Sequence, residues 1–207
     1  MIILSGTEEI TFPPLKGSKE ISLKADENQA TPFSPLTEPV AKLDQPVIAA
    51  IHGNLFGQGL ELVLACDIRI ASEKSHFGFS HIKAGLIPGD GGTQRLSRLV
   101  GKGKALEMIL LGETIDAQEA YRIDLVNSVI PSEELMTAVT KMAQEMASKA
   151  PISLRYTKEA IHKGMDLTLE QGLHLEADLY LLIHTTRDRT EGIKAFREKK
   201  KYQFEGK

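Results

Sequence analysis

The chain has 207 residues, 42% of them hydrophobic and 26% charged, which suits one folded domain, or one core carrying a helical appendage. A net charge of -3 with interspersed signs gives no electrostatic reason to expect nucleic acid or an anionic membrane as a partner. The lone cysteine, Cys66, excludes an intrachain disulfide framework, and no apolar run approaches the roughly 18 residues that span a bilayer.

MIIL at the start is too short for a signal peptide and lacks a basic flank, so a reducing, cytoplasmic setting is expected. Residues 2–4 read as a short buried strand. From 5 to 44 the pattern dissolves into Pro13, Pro14, Gly17, Pro32, Pro35 and Pro39 among polar residues. That predicts a loop, with one short strand near 21–23, and it is long for a compact domain. Order returns with an apolar strand at 47–51, a helix at 58–66 and strands at 68–71 and 77–79. Strand, turn, helix and strand in quick succession mark a crossover in a parallel sheet. Helices follow at 93–99, 104–111 and 117–122, then a strand at 125–130 closed by Pro131.

Everything after Ser132 is helical in period: 134–149, 153–163, 167–184 and 190–201, with Ser132 as an N-cap and Pro151 as a separator. Leu169, Leu173, Leu175, Leu179 and Leu182 form a wide apolar face, which predicts packing on a second subunit. The segment beyond Arg187 is rich in lysine and arginine. It reads as a solvated helix face or as a site for the phosphates of a ligand.

The chemistry concentrates between Pro46 and Leu96. Glu61 stands among Leu60, Leu62, Val63, Leu64, Ala65 and Cys66, where an ionisable group is costly to bury without compensation. It follows Gly57-Gln58-Gly59 by one turn, beside the unpaired N–H groups that open a helix. Glycine within a helix costs about 1 kcal/mol against alanine, so Gly59 implies close approach of a ligand or another backbone. This pattern predicts a buried acid/base beside an anion-stabilising turn, although Glu61 could also serve only the helix dipole. The second turn, Gly89-Asp90-Gly91-Gly92, opens another helix. Asp90 is either that helix's cap or a second carboxylate facing Glu61. His81 precedes the turn. No pair of histidines has metal-ligand spacing close to an acid, so no metal site is expected, and no nucleophile–base pair stands out.

PVIAAIHG, the GxGxE turn and helix, ACDIRIAS, FGF, GLIPGDGGTQRL and LVGKGKALEMILLGETIDAQEA together resemble the enoyl-CoA hydratase/isomerase, or crotonase, family. The resemblance runs from Gln45 through LVNSVIPSEEL to TEGIKAFREKK, about three quarters of the chain. It implies an α/β spiral of ββα units, the ClpP/crotonase fold, over residues 1–130, with 1–45 divergent and shortened. It also implies a C-terminal helical oligomerisation region over 131–207, joining subunits into a homotrimer or a hexamer. The implied substrate is an acyl-CoA thioester, with no cofactor beyond the coenzyme A it carries. The implied chemistry is enoyl-CoA hydration or double-bond isomerisation through an enolate held by two backbone N–H donors.

By that resemblance Glu61 matches a hydratase glutamate that activates water or moves a proton. Gln58 occupies the position whose N–H forms half of the oxyanion hole, with Gly57, Gly59 and Gly89 as neighbouring substrate-binding positions. Arg197 and Lys200 lie where relatives often contact coenzyme A. Three departures stand out. The second hydratase glutamate is replaced by His81, a residue type whose ordinary pKa near neutrality suits acid/base work. Asp90 lies in the turn where some isomerases and dehalogenases carry a working aspartate. The FxAGxD-type loop that supplies the other oxyanion donor has no match, Thr11-Phe12-Pro13-Pro14-Leu15-Lys16-Gly17 taking its place, and proline donates no N–H. The family's first strands and helix would precede Met1. The alternative expectation is therefore a non-catalytic or truncated member that binds CoA or acts as a scaffold.

Overall fold

The computed structural model describes residues 1–5 and 35–207, so the strand predicted near 21–23 and the 11–17 loop lie outside the described residues. The chain separates into two compact units. One comprises Ile3–Lys42 and Val47–Val139; the other comprises Met1–Ile2, Leu43–Pro46 and Thr140–Lys207.

In chain order the elements to the end of the first unit are β1 (Ile2–Ser5), α1 (Thr37–Ala41), β2 (Val47–Ile51), β3 (Asn54–Phe56), α2 (Gln58–Leu64), β4 (Ile68–Ser72) and β5 (His76–Gly78). A 3₁₀ turn (His81–Ala84), α3 (Gly92–Val100), α4 (Lys102–Leu111), β6 (Thr114–Asp116), α5 (Ala117–Arg122) and β7 (Ser128–Ile130) follow. Two sheets are fed alternately. β1-β2-β4-β7 form one, in which β4 runs parallel to both β2 and β7. β3-β5-β6 form the other, with β3 and β5 parallel and β6 antiparallel. Each step from β2 to β3 to α2, then β4 to β5 to helices, lays one strand in each sheet before a helix returns the chain. This is the ββα alternation of the expected α/β fold.

Every residue of β2 is buried, as a strand inside a parallel sheet requires. Asp67 registers the β2–β4 pair at its start. Its side chain accepts from the Val47 N–H at 2.7 Å, and its own N–H donates to the Val47 carbonyl at 3.0 Å. Arg69 is buried, 5% exposed. Its guanidinium donates to the carbonyls of Leu125 and Cys66 at 2.8 and 2.7 Å, and burial pushes its pKa below the usual arginine range.

Several sequence expectations need correction. Residues 37–41 are helical within the predicted loop. Pro39 falls in the first turn, where a missing N–H costs nothing. β3 and β6 were not anticipated, because three-residue strands exist only through their pairing with β5. The predicted strand 125–130 contracts to β7, since the N–H groups of Leu125 and Val126 go to the Ala120 carbonyl and that of Asn127 to Arg69. Ser132 is not the cap of the next helix; its hydroxyl meets that of Ser72 at 2.6 Å.

The remaining helices are α6 (Leu135–Ala147), within which the unit boundary falls, α7 (Pro151–Gly164), α8 (Leu169–Ile183) and α9 (Arg187–Glu198). Pro151 is the first residue of α7 rather than only a separator, a position where its fixed φ is favourable. α7 and α8 pack on each other, and Thr168 with Gln171 forms a capping box at the start of α8. The C-terminal segment folds back on α9. Asp188 accepts from the N–H groups of Glu205 and Gly206, and the Lys207 oxygen accepts from those of Arg187 and Asp188. Within this unit Leu169, Leu173, Tyr180, Leu181 and Leu182 remain exposed on α8, and Phe196 is 85% exposed on α9. Among the described residues no helix is long and apolar enough to cross a membrane.

Candidate active site

α2 is short and apolar on all sides, as expected of a helix enclosed by strands and helices. Leu60, Leu62, Val63 and Leu64 are buried, and so is Glu61, at 2% exposure. A carboxylate there needs donors. Glu61 Oε1 accepts from the backbone N–H of Asp90 at 2.7 Å and from that of Gly92 at 2.8 Å. Among the described residues both donors converge on Oε1 and none reaches Oε2. The carboxylate is thus held by one oxygen and offers the other.

The donors come from the glycine-rich turn that opens α3. Gly91 has φ of 97°, a left-handed conformation that glycine adopts without strain, and a Cβ there would collide with Arg95 Nη1 at 1.9 Å. At Gly92 a Cβ would lie 2.7 Å from Pro88 Cβ, 2.9 Å from Glu61 Oε1 and 3.0 Å from Phe79 Cε1. These glycines allow backbone to reach a buried side chain. Sequence reasoning singled out the turn but not the donors, because a backbone N–H carries no residue signature. The run of glycines was the only available signal.

Gln58 and Gly59 are the first two residues of α2, and Gly57 is its N-cap, with φ of 56°. All three are half-buried. The Gly57 N–H donates to the Gly78 carbonyl at 3.2 Å, which ties the α2 entrance to the end of β5. His81 opens the 3₁₀ turn just beyond β5 and lies against this entrance. A Cβ at Gly57 would be 3.5 Å from His81 Cε1 and 3.8 Å from Nε2. The Nδ1 atom of His81 is buried with no hydrogen-bond partner among the described residues, and the ring lies 5.9 Å from that of Phe79. The fold therefore gathers Glu61, Gly57, Gln58, Gly59, His81 and the Asp90 turn in one place.

Asp90 divides its groups between two directions. Its N–H faces Glu61, whereas its carboxylate accepts from Leu36 N at 2.7 Å, Thr37 N at 3.2 Å and Thr37 Oγ1 at 2.8 Å. It does not cap its own helix, α3, whose N-cap is Gly91; it caps α1 from 53 residues away. Gly89 is exposed in the same turn. Arg197 and Lys200 belong to the helical unit. Both are exposed at the end of α9, and Lys200 pairs with Glu198 at 2.8 Å. Among the described residues no group of three or more histidine, cysteine, aspartate or glutamate side chains could hold a metal ion.

Two sheets fed by ββα steps, with a carboxylate buried in the first turn of a connecting helix, define an α/β protein. The chain belongs to the enoyl-CoA hydratase/isomerase family, whose profile matches residues 2–207. It is 41% identical to a crotonyl-CoA hydratase of Syntrophomonas wolfei over 180 residues, covering 85% of this chain and 69% of that one. It is 42% identical to a mitochondrial enoyl-CoA hydratase of Pongo abelii over 165 residues, 80% of this chain and 57% of that one. The crystal structure of an enoyl-CoA hydratase from Bacillus anthracis superposes with a TM-score of 0.81 at 45% identity, covering 83% of this chain and 66% of that one. The matched region thus spans between 57% and 69% of the length of these relatives.

Proposed function

We propose that this chain acts on an acyl-CoA thioester, hydrating an enoyl double bond or moving it through an oxyanion-stabilised enolate. The observation that carries this reading is the clamped, buried carboxylate of Glu61, set at the start of α2 in a chain of this family. In the hydration direction Glu61 Oε2 takes a proton from water as the water oxygen bonds to the substrate β-carbon. The π electrons move onto the thioester oxygen, held by the Gln58 N–H, and the enolate collapses as the α-carbon takes a proton. His81, beside the same helix entrance, is the group proposed to supply that proton. Gly57, Gly59 and Gly89 leave room for the thioester, and Arg197 with Lys200 is proposed for the coenzyme A phosphates. Catalysis does not call on a metal or a cofactor beyond the substrate's own coenzyme A.

The exposed leucines of α8 support a homotrimer or hexamer, since that much apolar surface on one helix favours a partner. A cytoplasmic setting fits the single buried cysteine. The scaffold alternative is disfavoured by the retention of a buried acid that an apolar residue would replace with gain. The deciding experiment is turnover of crotonyl-CoA and of longer and cyclic enoyl-CoAs, with Glu61→Gln as control. Hydration abolished by the substitution is the expected result. Turnover indifferent to it would sink the mechanism, and coenzyme A binding without any turnover would establish the scaffold.

A further inference from the structure

We infer that Asp90 is a positioning residue for the reaction proposed above, holding the 88–92 turn between α1 and Glu61 so that Oε2 is presented for proton transfer. The inference rests on the reading of Glu61 as the acid/base. An ionised carboxylate offers about four acceptor sites. Those of Asp90 take Leu36 N and Thr37 N on Oδ2 and Thr37 Oγ1 on Oδ1, with a long contact of 3.5 Å from Gln58 Nε2 to Oδ2. Its carbonyl lies within hydrogen-bond reach of Thr37 Oγ1 and Arg95 Nη1, at 3.0 and 3.2 Å. Arg95 Nη1 also donates to Thr37 Oγ1 at 3.1 Å. Its N–H is the 2.7 Å donor to Glu61.

Every polar atom of Asp90 is committed to protein, and the residue is 5% exposed. A proton-transfer group needs a lone pair facing substrate; the short contacts of the Asp90 carboxylate, 2.7 to 3.2 Å, all come from Leu36 and Thr37 at the start of α1. Its reach is indirect. Donors of α1 fix the side chain, the side chain fixes the peptide, and the peptide fixes Glu61 Oε1. Releasing the side chain lets the turn drift, and a misplacement of about 1 Å at a reacting group costs about 100-fold in rate.

The test measures kcat and KM for crotonyl-CoA hydration by the full chain, with thermal melts, for Asp90→Ala, Asp90→Asn and Thr37→Val. Asp90→Ala is expected to lower kcat about 100-fold with KM within about threefold of wild type, the split of a lost transition-state alignment. Asp90→Asn keeps an oxygen for the Leu36 and Thr37 N–H groups and should return kcat to within about tenfold of wild type. Thr37→Val should fall between them. Two results overturn the inference: Asp90→Asn as inactive as Asp90→Ala beside an unaffected Thr37→Val, which makes the carboxylate a chemical participant, or unchanged kcat in Asp90→Ala. Wild-type chain inert toward every enoyl thioester would sink the proposed function by itself. The anchoring is then decided by the melts, where Asp90→Ala and Thr37→Val together must lower Tm by less than the sum of their separate losses. Additive losses overturn it.

Discussion

Gly92 donates its backbone N–H to Glu61 Oε1 across 2.8 Å, and a Cβ at Gly92 would stand 2.9 Å from that same oxygen. The donor that holds the carboxylate is within reach only because the residue lacks a side chain. Gly92→Ala is therefore expected to push Glu61 out of register while also crowding Pro88 and Phe79. Overpacking of this kind costs about 1–3 kcal/mol of stability. Turnover should fall about 100-fold, well beyond what the stability loss explains at temperatures below the melt. Enoyl-CoA kinetics beside a thermal melt checks both, and normal turnover would show that the clamp is not needed.

Glu61→Gln keeps an amide oxygen for the Asp90 and Gly92 donors, so the fold should survive. What it loses is proton transfer, worth about 10²–10⁴ in rate for a general acid or base. Steady-state kinetics with crotonyl-CoA and a melt close to wild type is the expected pair of results. A collapsed melt would instead assign Glu61 a structural role.

His81 lies against the α2 entrance with one ring nitrogen buried and unpartnered among the described residues. If it is the second acid/base, His81→Gln should cost about 10²–10⁴ in kcat, since an amide of similar shape carries no transferable proton. The same loss in His81→Ala would confirm that chemistry rather than shape is missing. Full turnover in the glutamine variant would remove His81 from the mechanism.

Away from the site, Glu119 bonds Arg122 Nε and Nη2 at 2.6 and 2.8 Å and Lys104 at 3.1 Å. The Arg122 hydrogen bonds first, and then that of Lys104, hold its pKa down to about 2. A depressed carboxylate stabilises the fold fully above its unfolded pKa, near 4.3, and loses that contribution as pH falls from about 4.3 toward 2. Glu119→Gln should flatten this part of the stability profile without changing the melt's dependence on pH above 6. Solvent keeps the effect small. Urea unfolding at pH 6 and pH 3 compares the two proteins directly.

The exposed leucines of α8 carry the fifth expectation. Leu169→Asp with Leu173→Asp should leave the helix formed, because both positions face outward, but should shift the sedimentation coefficient to that of a single chain. A wild-type chain that already sediments as a monomer would refute the proposed assembly.

How much was legible in the sequence follows from the range of the forces involved. The apolar run at 47–51 and the helix expected at 117–122 coincide with β2 and α5, because burial is written into the pattern of neighbouring residues. Glu61 was legible for the converse reason, as an acid where its neighbours say none should be. β3 and β6 were not, since three residues hold a strand only when another strand supplies the ladder. The division of Asp90, its N–H to Glu61 and its carboxylate to Leu36 and Thr37, was equally hidden. Sequence by itself determined the family motifs, the buried acid and the helical C-terminal segment. Tertiary structure decided what holds that acid, because its partners are backbone donors brought from 29 and 31 residues away, and a backbone donor has no letter of its own.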